Sequence, residues 1–444
     1  MKKKDPRRLA VWIVDRVFRS NSYADILLET QLTERDFSRK DRAFITELVY
    51  GTIRWVLYLD WILKNTYTSK WLNIPALVRR ILEVGAYQIL FLDRVPIYAA
   101  INESVNITKE TMGDHWSKTV NALLRNIERK KGKYSLPSPE EDPIKAISVG
   151  YSHPDWMIRK WLELWGPERT IALCQANNER PKLGLRINPL RTDRIQVLNR
   201  FDHMGLSTAV SDFLPNFITV DKGGELLSSP LFQKGYVTVQ DVSAGLVGYL
   251  LDPKPGETVL DMAAAPGGKS TLIAELCEDR CIIYAMDIND NKIKKIIANK
   301  KRLSLKKIYC LRGDGFNVPL NYVNKVLVDA PCSGLGVLGK RTEIRWRRKP
   351  EDIPGLVRIQ KKLLDSAAKI VQKDGIIVYS TCTILPEENA EIVQYFMNTY
   401  SNFIIENASQ FVPEEVVSAD GFVETWPDKH GIDGSFAVRF RKVK

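Results

Sequence analysis

The chain has 444 residues, 44% hydrophobic and 27% charged, with a formal net charge of +12. That length can bury two or three cores, and so positive a balance suits a protein that handles a polyanion, most simply nucleic acid, with a merely soluble basic protein as the plainer alternative. No apolar run approaches the ~20 residues needed to cross a bilayer, and Asp15 and Arg16 break the basic N-terminal stretch with no cleavage site behind it, so a cytoplasmic protein without a membrane anchor is expected.

Residues 7 to about 132 carry apolar stripes at helical spacing. They are Leu9, Ile13, Val14 and Val17; Ile45, Leu48, Val49 and Ile53; Leu82, Ala86, Ile89 and Leu90; Ala100, Val105 and Ile107; and Val120, Leu123, Leu124 and Ile127. Strand signals are sparse, so residues 1–134 are expected to form an all-α helical bundle. Arg39, Lys40, Arg42, Arg54, Arg79, Arg80 and Arg94 punctuate it. On a bundle without a catalytic constellation, part of this charge reads as an RNA surface, with Arg39, Lys40 and Arg42 as contacts. A solvated face is the bland alternative.

Residues 131–144, KGKYSLPSPEEDPI, form the clearest linker. Residues 145–235 read as a small α/β connecting subdomain, helical from Trp156 to Asn177, with strands and loops over 181–188 and 206–222. Within it, Arg186-Ile187-Asn188-Pro189 is a basic strand end, more simply structural than an RNA contact. Residues 236–444 alternate strand and helix, the pattern of an α/β domain with a parallel sheet covered on both faces. Strands are expected near 258–262, 282–287, 308–312, 325–329, 375–381 and 436–441. Helices are expected near 241–251, 268–277, 290–303, 353–373 and 387–400.

The stretch 258–269, TVLDMAAAPGGK, organises this last domain. A strand, a glycine-bearing turn and a helix start make a ligand cradle, because glycine lets backbone approach a ligand and a helix N-terminus offers free amides. In open α/β sheets, ligands bind beyond the carboxyl ends of the strands. The second strand ends at Asp287, where a ribose diol is commonly bound; the third is expected to end at Asp314. The fourth ends at Asp329, followed by Pro331 and Cys332, and the fifth at Cys382. Cys277, Cys281 and Cys310 sit within elements and read as small buried hydrophobes. With Cys174 they complete six scattered cysteines, which form no disulfide framework and no expected metal site.

A rival reading exists. Residues 263–270 satisfy a relaxed phosphate-loop pattern, and Asp329 could pass for a Mg²⁺-binding aspartate, so a nucleoside triphosphatase acting on RNA is the alternative. Ala263 stands where that motif needs glycine, and a triphosphatase has no use for two cysteines at the rim or an acid at Asp287.

The segments DMAAAPGGKS, DAPCSGLGVLGKRTEIRW and YSTCTILPEENAEIV resemble the motifs of RNA cytosine-5 methyltransferases that use S-adenosylmethionine. The helical segment SRKDRAFITELVYGTIRW is similar to the NusB fold. The resemblance implies a NusB-like RNA-binding domain, a connecting subdomain and a Rossmann-like class I methyltransferase domain acting on small-subunit ribosomal RNA; nothing in the sequence demands more than a monomer. It implies that Cys382 is the nucleophile, that Asp329 meets cytosine N3, and that Cys332 assists product release. Ala263, Ala264, Ala265, Pro266, Gly267, Gly268 and Lys269 would cradle the methionine moiety, with Lys269 paired to its carboxylate or to Asp329. Asp287 would hold the ribose and Asp314 the adenine amino group. Ala263 departs from the cysteine usual there. Arg345 and Trp346, after the Pro-Cys loop, are expected to stack on or contact RNA. A retained RNA-binding factor with a dead domain is a third class, disfavoured because Cys332, Cys382 and Asp329 are all present.

Overall fold

A computed structural model describes residues 5–20, 22–67, 71–221 and 226–444 of the chain. The basic residues 1–4 and the end of the 206–222 segment lie outside the described residues. The chain forms two compact units, Met1–Asn178 with Arg341–Arg347, and Glu179–Lys340 with Arg348–Lys444.

The first unit is helical: Pro6–Arg19, Ala24–Glu34, Arg39–Thr66, Ala76–Phe91, Ile97–Met112, Asp114–Arg129, Pro143–Tyr151 and Asp155–Asn178, joined by the short insertion helix Ile344–Arg347. Several starts are written locally. The Asp5 carboxylate accepts from the amides of Arg7 and Arg8, Ser38 accepts from Asp41, and Asp142 accepts from Lys145. Gly113, at φ +88°, makes the turn between two helices that a β-carbon would strain. The apolar stripes become the core: Leu9, Ile13, Val14, Ile45, Leu48, Val49, Ile53, Leu82, Ala86, Leu124 and Ile127 are all buried together. Each such large side chain contributes about 1.5–3 kcal/mol on burial. The helices of 143–178, which the sequence places with the connecting region, group with this bundle.

The second unit holds two sheets. Strands β1 (Leu183–Ile187), β2 (Thr208–Val210), β3 (Phe217–Val220) and β4 (Val237–Val239) form an antiparallel sheet ordered β2-β3-β1-β4. The larger sheet contains β5 (Thr258–Asp261), β6 (Ile282–Asp287), β7 (Ile308–Arg312), β8 (Val323–Asp329), β9 (Val371–Thr381), β10 (Phe403–Glu406), β11 (Val423–Thr425) and β12 (Ser435–Lys442). Its order is β10-β12-β9-β8-β5-β6-β7, with β11 on β12. Strands β9, β8, β5, β6 and β7 are parallel, as the alternating pattern requires. Strands β10, β11 and β12 run antiparallel to their neighbours, so the sheet is mixed rather than wholly parallel. The order reverses at β5, which puts the topological switch point at the organising turn. Two apolar layers cover the faces, one around Leu246, Leu272 and Ile273, the other around Leu364, Ile377 and Phe396. Arg186 of β1, buried and ion-paired with Glu275 at 2.9 Å, also donates to the Gly268 carbonyl at 2.9 Å. It is the structural residue expected, and it braces the helix that opens at the organising turn. Among the described residues, no helix is long and apolar enough to cross a membrane.

Candidate active site at the carboxyl ends of the strands

Five adjacent parallel strands deliver their carboxyl ends to one rim. The turn 262–267 follows β5 and leads into the helix Gly268–Leu276. Gly267 caps that helix at φ +98° without a side chain, and a β-carbon there would meet Ile296 at 3.2 Å. The first-turn amides therefore have no capping side chain and can receive an anionic or polar ligand. At the end of β6, Asp287 is only 4% exposed; its Oδ1 accepts from the Asn289 amide at 3.1 Å, and its Oδ2 lies 3.7 Å from the Lys292 ammonium. Ile288, beside it, holds its apolar side chain 66% exposed, which could cover the flat face of a base. The sequence reading missed Ile288, although an isoleucine directly after a strand-end acid was the available signal.

Strand β7 ends at Arg312 rather than at Asp314. Asp314 stands two residues further on, exposed in the following loop, where its Oδ1 accepts from the Phe316 amide at 3.0 Å. A buried carboxylate, an exposed carboxylate, an open helix start and an exposed apolar side chain along one rim fit a nucleoside joined to an amino-acid-like group.

The candidate reactive groups lie at and just beyond the ends of β8 and β9, which run side by side in register with Asp329 opposite Ser380. Ser380 Oγ donates to Asp329 Oδ1 at 2.9 Å, and Lys269 Nζ donates to Asp329 Oδ2 at 2.7 Å, so both carboxylate oxygens are held. Asp329 is thus one of the two partners expected for Lys269. Burial works against the Lys269 ammonium, but Asp329 together with Cys382 and Asp261 holds its pKa above the ordinary lysine value. Beneath them, burial pushes the Asp261 carboxyl up to about 7, against the hydrogen bond it accepts from Ser270 Oγ at 2.6 Å.

The two rim cysteines meet. Cys332 Sγ and Cys382 Sγ lie 3.1 Å apart, both free thiols, with Cys382 the more exposed. This is far beyond the ~2.05 Å of a disulfide and suits a thiol donating to its neighbour. That hydrogen bond from Cys332 pulls the Cys382 pKa below the ordinary thiol value, against desolvation and Asp329, and the Lys269 cation helps. The same bond, with burial added, pushes Cys332 well up. The residues 386–388 form a single turn of tight helix, too short to act on the thiolate as a dipole. Gly336 ties the two loops: its amide donates to the Cys382 carbonyl at 3.0 Å, and a β-carbon on it would meet Gly434 O at 1.9 Å.

The expected RNA contacts divide. Arg39, Lys40 and Arg42 are exposed in the first turn of their helix. Arg345 is fully buried within the first unit. It donates to the carbonyls of Ser152 and Asn177 at 3.1 Å each, of Arg54 at 3.4 Å, and to Asn178 Oδ1 at 2.9 Å. Trp346 packs on the bundle core and donates to the Ile53 carbonyl at 2.7 Å. The expectation that Arg345 reaches RNA is therefore corrected, while Trp346 is half-buried. Their polar groups are directed to protein oxygens, because this short insertion supplies the donors for helix and loop carbonyls of the bundle.

Comparison with known proteins agrees with this layout. Residues 248–441 match the family described as 16S rRNA methyltransferase RsmB/F, residues 4–129 the NusB family, and residues 153–226 the RsmF/B-like ferredoxin-like domain. The chain is 36% identical to the probable ribosomal RNA small subunit methyltransferase B of Synechocystis sp., over 98% of this chain and 99% of the relative. It is 33% identical to the Bacillus subtilis protein of the same description, over 100% of both. A methyltransferase homolog protein from Pyrococcus horikoshii has a TM-score of 0.59 at 26% identity, over 68% of this chain and 99% of that one. A NusB bundle, a ferredoxin-like subdomain and a Rossmann-like domain with its rim of ligand groups thus place the chain in the ribosomal RNA small subunit methyltransferase B family of S-adenosylmethionine-dependent enzymes.

Proposed function

We propose that the chain methylates carbon-5 of a cytosine in small-subunit ribosomal RNA through a covalent adduct between Cys382 and the base. The observation that carries this reading is the pair of free thiols 3.1 Å apart beside a fixed Asp329–Lys269 pair. Carbon-5 of cytosine is a weak nucleophile. A thiolate bonding to carbon-6 breaks the ring's 5,6 double bond and makes carbon-5 enamine-like. S-adenosylmethionine, when bound, supplies an electrophilic methyl group for that carbon. Asp329, held by Lys269 and Ser380, meets the base edge at N3; as the thiolate adds, N3 takes a proton relayed from the Lys269 ammonium through Asp329, and it returns that proton as the thiolate leaves. After transfer a base removes the carbon-5 proton, the double bond re-forms and the Cys382 thiolate leaves. Exposure and a lowered pKa favour Cys382 as nucleophile; the raised pKa of Cys332 suits a proton carrier that assists release.

For the cofactor, the turn 263–269 would hold the methionine moiety, Asp287 the ribose hydroxyls and Asp314 the adenine amino group. Asp287→Ala is expected to weaken S-adenosylmethionine binding roughly 10- to 100-fold, the worth of hydrogen bonds to a charged group. Titration calorimetry reads this, and an unchanged Kd removes Asp287 from the ribose role. Arg39, Lys40 and Arg42 remain the proposed RNA contacts on the bundle.

The thiolate requirement sets a pH dependence. Turnover should rise with pH through the Cys382 pKa, below the ordinary thiol value, and level off above it. Lys269→Met removes the nearby cation and leaves Asp329 uncompensated, and both changes favour the neutral thiol. The acid limb of kcat should therefore move to higher pH; a limb that stays in place or moves down would exclude this role for Lys269. The adduct itself is tested with RNA carrying 5-fluorocytidine at the target. Fluorine cannot leave as a cation, so a stable protein–RNA conjugate through Cys382 is expected in the presence of S-adenosylmethionine. No conjugate with an RNA that is otherwise methylated would refute the covalent route.

A further inference from the structure

Beneath the two cysteine loops lies a buried polar knot that none of the catalytic roles uses. Glu388 is fully buried, a position that carboxylates rarely occupy unless they are heavily hydrogen-bonded. Its Oε1 accepts from the Ser333 amide at 2.8 Å and from Gln360 Nε2 at 2.9 Å, and its Oε2 accepts from the Ser333 hydroxyl. Ser333 follows Cys332. Gln360 Nε2 also donates to the carbonyl of Pro331, the residue before Cys332, at 3.0 Å. Both neighbours of Cys332 are thus tied, directly or through one glutamine, to one carboxylate.

The same carboxylate reaches the Cys382 loop. Ser333 Oγ and Thr383 Oγ1 lie 2.7 Å apart. An ionised carboxylate can only accept, so the Ser333 hydroxyl must point its proton at Glu388, and the Thr383 hydroxyl must donate to Ser333. Thr383 follows Cys382. The Glu388 backbone adds a third tie: Tyr379 of β9 donates its hydroxyl to the Glu388 carbonyl at 2.6 Å. Asn389, the next residue, accepts from the Thr381 hydroxyl at 2.6 Å and donates to the Thr383 carbonyl at 3.0 Å, so Cys382 too is flanked by two tied residues.

We propose that Glu388 is the positioning residue that sets the Cys332–Cys382 sulfur separation by locking the loops after β8 and β9 into one hydrogen-bonded unit. It touches neither substrate nor cofactor. Its effect passes through Ser333 and Thr383 to the thiol–thiol hydrogen bond, and so to the nucleophilicity of Cys382. A sulfur contact loosened by a fraction of an ångström weakens that bond steeply. The proposal rests on the two-cysteine reading above.

The test compares wild type, Glu388→Ala, Glu388→Gln and Thr383→Val for methyl transfer to small-subunit ribosomal RNA and for the pH dependence of Cys382 alkylation by iodoacetamide. Rates are normalised to folded protein by thermal unfolding. Glu388→Ala should lower kcat on the order of 100-fold, leave both KM values within about threefold, and move the Cys382 alkylation midpoint to higher pH. Glu388→Gln can keep the Ser333 amide and Gln360 through its carbonyl and reverse the hydroxyl chain through its NH₂, so it should recover to within roughly tenfold of wild type. Should Glu388→Ala yield no folded protein, Thr383→Val decides: it cuts the link between the two loops, together with the bond Thr383 accepts from the Leu385 amide within its own loop, and should raise the alkylation midpoint in a folded enzyme. A folded Glu388→Ala with wild-type kcat and midpoint overturns the proposal, as does an unmoved midpoint in Thr383→Val. Failure of the two-cysteine reading looks different, since Cys382→Ala would then methylate the RNA as well as wild type does.

Discussion

Cys382→Ala should abolish methyl transfer, by about 10³-fold or more, while S-adenosylmethionine binding stays within a few-fold of wild type. The other thiol at the rim, Cys332, has its pKa pushed well up and does not replace Cys382, and removing a covalent route removes the whole of its rate advantage. Cys332→Ala should behave differently. Addition to carbon-6 and methylation can proceed, but release is impaired, so a protein–RNA adduct that survives denaturing electrophoresis should accumulate. The 3.1 Å sulfur contact makes the two phenotypes a matched pair, since each variant removes one end of the same hydrogen bond. If Cys332→Ala were dead without adduct while Cys382→Ala formed one, the two roles would be exchanged.

Arg345→Ala should destabilise the bundle unit by about 3–5 kcal/mol. The change opens a cavity where a large side chain was fully enclosed and strips the donors from three carbonyls and one side-chain amide oxygen. For a unit of this size that corresponds to a fall in Tm on the order of 10 °C. The RNA KM of the protein that remains folded should not change. Differential scanning calorimetry with RNA kinetics at low temperature separates the two effects. An unmoved Tm with a raised KM would restore Arg345 to the RNA surface.

The difference between these two predictions shows what the sequence could convey. The reactive groups sit at strand ends, and strand ends are local: an apolar run followed by Asp-Ala-Pro-Cys or Ser-Thr-Cys announces both the strand and the residue that leaves it. Asp329 closes β8 and Cys382 follows β9 directly, as that pattern implies. Asp314 is the first acid after the run 308–312, and the ladder with β6 stops two residues before it, at Arg312. The antiparallel edge was less legible. Strands β10 and β11 have only four and three residues, and the direction of β12 depends on connections that carry no periodic signal. Arg345 was illegible for a stronger reason. In a run reading Arg-Trp-Arg-Arg it looks like surface charge, and its acceptors come from Arg54, Ser152, Asn177 and Asn178, far away in the chain. Glu388 was hidden similarly. In the pair Glu387-Glu388 after a proline it reads as surface charge, whereas its carboxylate turns inward to Ser333.

The base and atom that receive the methyl group are the centre of this account. Small-subunit ribosomal RNA should be incubated with the enzyme and S-adenosylmethionine carrying a labelled methyl group, then digested to nucleosides and resolved by mass spectrometry. The account predicts label in 5-methylcytidine alone, and none with Cys382→Ala. Label in any other nucleoside, or 5-methylcytidine formed equally well by Cys382→Ala, would contradict it.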